Sequence, residues 1–300
     1  MLFVTMILVV LISLTGCSFR QVAVNKLGDA LSKKGTAFAT DDDPELIKGA
    51  IPFSLKLMES LLAESPRHRG LLLAACRGFT QYSYVFVQLE ADQVEEKDLE
   101  KAMEMRHRSQ RLFLRARNYG LRGLDLIEPG FERTARDNLK KAVQAFKVSD
   151  VALLYWTAVS WTAAVSVTKD NSDLIADLPV VDALLDRALE LDEAFDSGAI
   201  HSFLIAYEMG RGTSSGDPEQ RARSHFQRAV ELSQGQLSGP FVTFAESVSL
   251  PKQDKEEFKR LLEQALKINP DDRPEWRLAN LMMQRRSRWL LGRTNKFFVD

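Results

Sequence analysis

Two cysteines and four histidines are the obvious reactive side chains of this chain, and their spacing selects very little chemistry. His68, His107, His201 and His225 stand apart in sequence. None has a second His or a Cys at ligand spacing, and no His-Glu-x-x-His pattern is present, so no metal site is expected. Asp41-Asp42-Asp43 lacks the alternating acids of a calcium loop and, followed by Pro44, reads as a helix N-cap. The run Gly210-Arg211-Gly212-Thr213-Ser214-Ser215-Gly216 is loop-like. It has neither the spacing nor the Gly-Lys-Ser/Thr of a phosphate cradle, and it leads to Asp217-Pro218, where the next helix should start. Gly212-Thr213-Ser214-Ser215-Gly216 spells Gly-x-Ser-x-Gly, but the run follows a helix instead of a strand, so it is not read as a nucleophile elbow, and Glu95-Glu96 and Glu256-Glu257 fall in charged helical faces. Neither an enzyme nor a cofactor is expected.

The cysteines differ in setting. Cys76 closes the apolar run Leu71-Leu72-Leu73-Ala74-Ala75, which makes it a small buried hydrophobe. Cys17 ends Leu14-Thr15-Gly16-Cys17 after the apolar stretch from Leu2 to Ile12, the pattern of an export signal. That ending resembles the lipobox of bacterial lipoproteins, although no Lys or Arg precedes Arg20. The resemblance implies cleavage before Cys17, acylation there, and a mature protein tethered to a membrane outside the cytoplasm. One acyl chain binds marginally, whereas two or more anchor stably. Ser18, in place of Asp after the cysteine, resembles the signal for outer-membrane delivery.

The elements that must position these groups are helical. Charge is balanced, with 40 basic and 41 acidic residues, so nothing favours nucleic acid. Residues 1–16 are expected to be the signal, 17–45 a lipidated leader with a short helix over Val22 to Leu31, and 46–300 the folded domain. No second apolar stretch is expected to approach the length of a membrane span. Ala91 to Leu99 and Lys169 to Leu178 read as irregular. Three stretches share one pattern: Leu185 to Asp192 around Ala188, Phe226 to Ser233 around Ala229, and Leu262 to Asn269 around Ala265. Each has a large apolar residue, Ala three later, and an apolar residue three after that. The Ala spacings of 41 and 36 are similar to the period of about 34 in tetratricopeptide repeats. The fold class expected is all-α, with tetratricopeptide-like helix pairs forming one compact α-solenoid-like domain.

Binding, if any, falls to aromatic side chains. Tyr82 and Phe86 are four apart and share a helix face, as do Phe203 and Tyr207, beside His201. Tyr155 and Trp156 are adjacent, and Trp156 and Trp161 point about 140° apart on a 3.6-residue helix. Such side chains suit a pocket for a partly apolar ligand with one polar end; core packing between helices is the plainer alternative. The basic run Gln284 to Leu291 reads as a solvated helix face with Trp289 and Leu290 packed.

Several segments together resemble the T component of tripartite ATP-independent periplasmic (TRAP) transporters, the TatT family. They are Asp41 to Leu46, Leu57 to Pro66 with Leu71 to Ala74, Leu114 to Arg122, Leu154 to Trp161, Gly198 to His201, and Arg277 to Leu291. The resemblance implies a lipoprotein of the bacterial envelope that faces the periplasm, more so at the outer membrane. It implies partnership with a periplasmic solute-binding protein, a ring-like homo-oligomer such as a trimer, and passage of a small hydrophobic or organic-acid ligand. A lipoprotein scaffold for envelope assembly, without a small ligand, is the alternative.

Overall fold

Asp43 starts the first long helix, as its position before Pro44 predicts. Its carboxylate accepts the N–H groups of Glu45 and Leu46, both at 3.0 Å, and Pro44 occupies the first turn, where a missing N–H costs nothing. The computed structural model describes residues 22–32, 36–168, 171–211 and 216–298. Cys17, the signal and the middle of the Gly210–Gly216 run lie outside the described residues. Among those described, every regular element is helical. Residues 22–32 form α1, followed by α2 (Thr36–Ala39), α3 (Pro44–Glu64), α4 (Arg69–Ser83), α5 (Leu89–Val94), α6 (Leu99–Asp125), α7 (Phe131–Asp137), α8 (Leu139–Gln144) and α9 (Val151–Ser166). Then come α10 (Ser172–Ala176), α11 (Leu178–Leu191), α12 (Phe195–Gly210), α13 (Pro218–Leu232), α14 (Ser238–Phe244), α15 (Lys255–Lys267), α16 (Arg277–Leu291) and α17 (Thr294–Phe297). The stretches read as irregular therefore hold the end of α5 and the whole of α10, which are too short for a clear apolar period.

Chain neighbours pack on one another. α3 lies on α4, α4 on α6, α6 on α9, α9 on α11, α12 on α13, α14 on α15 and α15 on α16. Ala188, Ala229 and Ala265 are all fully buried, as the shared pattern requires. Three apolar clusters form the core: one around α9 and α11, one around α3 and α4, and one around α14 and α15. Burying each Leu, Val or Phe there contributes about 1.5–3 kcal/mol. Cys76 is fully buried, and burial pushes its thiol up to about 12.

One expectation is corrected. Val148–Ser166 is a 19-residue helical stretch with mean hydropathy 1.2, long and apolar enough to cross a membrane by composition alone. In the fold it is a core helix: α6 and α11 pack against α9, and Tyr155, Ala158 and Trp161 are buried. Small polar residues, Thr157 and Ser160, break up its apolar composition and hid its length in the sequence. They bond back to the carbonyls of Leu153 and Thr157 at 2.6 and 2.8 Å.

Candidate functional site

The start of α12 is the most strained backbone in the described chain. Asp196, Ser197 and Gly198 all take left-handed conformations, with φ of 47°, 57° and 88°. Such conformations cost of order 1–3 kcal/mol for a non-glycine residue and persist only where the surroundings enforce them. Here the enforcement is close packing: a Cβ on Gly198 would stand 3.1 Å from Leu232 Cβ and 3.3 Å from the Ala229 backbone in α13. The turn carries Phe195 onto the aromatic residues of α9. Tyr155 meets Trp156 at 5.0 Å between ring centroids, Phe195 at 5.6 Å and Phe203 at 6.2 Å. Phe203 in turn stacks on Tyr207 at 5.7 Å. These are the edge and offset geometries that aromatic quadrupoles favour.

Charge is placed beside this group. Burial lowers the pKa of Arg77 on α4, with Asp196 pulling the other way. Burial raises the Tyr155 phenol, and the Asp196 carboxylate adds to it. Tyr207 donates to Asp182 at 2.7 Å, and Arg211 reaches the same carboxylate at 2.9 Å. The arrangement is an aromatic wall with two cation–anion pairs beside it, Arg77 with Asp196 and Arg211 with Asp182. Aromatic faces of this kind can contact apolar surface, and charges beside them can orient a polar group. Among the described residues no group of three or more His, Cys, Asp and Glu is arranged to hold a metal ion.

The eight aromatic and imidazole candidates separate into two environments. Tyr82, Phe86, Tyr155, Trp161 and His201 are buried, while Trp156, Phe203 and Tyr207 are half-buried. Tyr82 and Phe86 do touch, at 5.9 Å, on the far side of α4 in the cluster around α3. Trp161 packs beneath Arg117, whose guanidinium lies 5.0 Å from its ring. The described structure thus brings Tyr155, Trp156, Phe203 and Tyr207 into one group and leaves Tyr82 with Phe86 in another. None of the eight lines the open groove of about 360 Å³ on α6, which is formed by Arg111, Leu114, Arg115, Asn118, Tyr119 and Arg122.

Two features were invisible in the sequence. His201 and His225, isolated along the chain, meet across α12 and α13 with their Nδ1 atoms 2.8 Å apart, so one ring donates to the other. Burial lowers both pKa values, and His225 falls to about 4, helped by the neighbouring His201. The second feature corrects the reading of the C-terminal basic run. Arg285 and Arg288 are exposed, but Arg286 is buried. It donates to Glu246 at 2.6 Å and to Asp92 at 3.0 Å, joining α16 to α5 and to the π-helical turn Ala245–Ser249. Burial pushes the Glu246 carboxyl up against the pull of Arg286. Burial opposes the Arg286 charge too, but Glu246 and Asp92 hold that guanidinium above its usual pKa. A second π turn, Tyr84–Gln88, faces this cluster: although 39 % of the Tyr84 surface is open, desolvation raises its phenol, Glu246 and Asp92 add to the rise, and Arg286 opposes it. Only the helical period of Arg286, one residue off the exposed stripe of Arg285 and Arg288, hinted at this.

The described chain is all-helical, built from helices that pack on their neighbours along the chain, with an aromatic group at the start of α12. The family model for the TRAP transporter T-component matches residues 40–298, and the chain belongs to that family. It is also similar to an uncharacterised protein of Treponema pallidum (strain Nichols), 28 % identical over 303 residues, covering 95 % of this chain and 94 % of that one.

Proposed function

We propose that this protein is a lipid-anchored accessory of a TRAP-type solute transport system, which docks a periplasmic solute-binding protein and holds or passes a small, partly apolar ligand. The observation that carries the reading is the family match across residues 40–298. In this reading residues 1–16 are the signal, Cys17 is the acylated anchor at the outer membrane, and 46–300 form tetratricopeptide-like helix pairs that assemble as a ring-shaped homo-oligomer. Stacked helix pairs suit protein partners. The half-buried Trp156, Phe203 and Tyr207, next to the strained turn at Asp196, supply the ligand wall. The buried state of Tyr155 and Trp161 favours a second reading, a scaffold without a small ligand.

The test is affinity purification of the full-length protein from detergent-solubilised membranes of its own host, followed by native mass spectrometry. A solute-binding protein in the eluate supports the transport reading, and its repeated absence refutes it. A bound small molecule lost on Trp156→Ala selects ligand handling over scaffolding. Cys17→Ser is expected to release the protein from the membrane fraction; retention there would sink the lipid anchor.

A further inference from the structure

Helix α6 has two unlike faces. Toward α9 it presents Gly120 and Gly123, both buried, and a Cβ on Gly120 would collide with Thr157 and one on Gly123 with Leu153. This small-residue face brings the two helices close. On the other face stand Arg108, Arg111, Arg115 and Arg122, all exposed. Their spacings of three, four and seven place them on one stripe, and 14 residues of helix extend it over about 21 Å.

Three of these guanidiniums are held over rings, Arg108 at 5.7 Å from the centre of the Tyr82 ring. Arg115 lies 5.4 Å from the centre of the Phe79 ring, and Arg122 lies 5.4 Å from that of Tyr119. The two rings stack on each other at 6.0 Å with a 16° tilt. A planar cation resting on an aromatic face has already lost much of its rotational freedom, so less is lost when it binds an anion. The row is also short of counter-charge. Glu59 lies 3.6 Å from Arg115, but it already accepts from Lys56 at 2.6 Å and from the Tyr119 phenol at 2.8 Å. Arg122 donates to the Pro66 carbonyl at 3.0 Å and Arg108 to the Tyr82 hydroxyl at 3.3 Å, both neutral partners. Arg111 has no polar partner among the described residues. Glu104 and Asp125 stand before and after the row, and no acidic residue lies between them along α6.

We propose that this row is a docking surface for a protein partner that presents a line of carboxylates. The proposal gives the contact chemistry of the partner and rests on the transport reading for who that partner is. Length and openness decide against a small ligand: sites for small molecules enclose most of the ligand surface, whereas this groove is open and the row outspans an organic acid. An anionic membrane fits less well, because Leu114 and Tyr119 are half-buried and leave no exposed apolar side chain in the groove to insert. Pre-set guanidiniums and open charge are the features of an electrostatically steered protein contact.

The experiment uses the full-length protein in neutral detergent. The probe is a fluorescein-labelled helical peptide with four Glu residues spaced three, four and seven apart on one face. Fluorescence anisotropy is read at about 50 mM and about 300 mM salt, where screening of surface charge differs strongly. Arg111→Glu/Arg122→Glu is expected to weaken binding at least about tenfold at low salt, the effect falling at high salt. Lys140→Glu/Lys267→Glu, which makes the same charge change at exposed sites elsewhere, is expected to stay within about twofold. Circular dichroism checks that each variant folds. Equal losses in both pairs would overturn the proposal, because binding would then follow net charge alone. Displacement of the peptide by micromolar citrate would replace it with a small-anion site. Anionic vesicles that bind where the peptide does not would replace it with a membrane contact. Recovery of a solute-binding protein from host membranes, undiminished by Arg111→Glu/Arg122→Glu, would refute this surface and leave the transport reading standing.

Discussion

Arg286 and Arg111 are the same residue type in opposite circumstances. Arg286 is 7 % exposed and sits between Glu246 and Asp92, where it ties α16 to α5 and to the π turn of Ala245–Ser249. Arg111 stands in solvent on α6 with no polar partner among the described residues. A buried cation must have its counter-charge supplied by the fold, because removing it from water costs several kcal/mol per ion. An exposed one keeps its hydration and stays available to a partner. The first arginine is a strut and the second a contact, and a count of basic residues does not tell them apart.

Breaking the strut is expected to have the largest effect. Arg286→Met leaves Glu246 and Asp92 facing each other without their shared cation, at a cost of about 3–5 kcal/mol measured by urea unfolding. A loss below about 1 kcal/mol would mean the cluster is hydrated, and the contrast with α6 would fall. The buried histidines test the same idea with pH. The pKa of His225 is depressed to about 4 in the folded protein, so its contribution is fully present above the unfolded value of about 6.5. It is lost as pH falls from there toward 4, because the unfolded chain binds the proton first. The loss is on the order of 2–3 kcal/mol. Thermal melts of the wild type and His225→Asn should diverge above pH 6.5 and converge near pH 4; parallel curves would show that the pair is not desolvated.

Smaller effects sharpen the interior side. Gly198→Ala places a side chain at φ 88° against the Ala229 backbone, which should cost about 1–3 kcal/mol in a denaturant midpoint. Tyr155→Phe keeps the ring contacts and removes only the phenol, so a change of no more than about 1 kcal/mol is expected. Smallest of all is Arg111→Ala, within about 0.5 kcal/mol, since nothing in the fold depends on it. A clear loss of stability there would make the α6 row structural.

Much of this was legible along the chain. The cap at Asp43, the helix start at Asp217-Pro218, the buried Cys76 and the alanines at the helix crossings follow from local rules, and each stands where those rules put it. The pairing of Tyr82 with Phe86 and of Phe203 with Tyr207 follows from helical spacing. What was hidden depends on contacts between distant residues. His201 meets His225 only because α12 folds onto α13, and the left-handed turn at Asp196-Ser197-Gly198 is held by the packing of Gly198 against Ala229 and Leu232 of α13. Arg286 is buried by α5 and the π turn Ala245–Ser249, neither of which shows an apolar period. The α6 row was written in plain spacing, but its significance depends on Phe79 and Tyr119 beneath it and on the scarcity of acids around it.

The most direct test of the docking account is photo-crosslinking in living host cells, with a photoreactive amino acid placed at Asn118, in the middle of the α6 row. The account predicts a covalent adduct with a solute-binding protein from that position and none from Lys267, which is exposed on α15. Adducts of equal yield from both positions, or no solute-binding protein from Asn118, would contradict it.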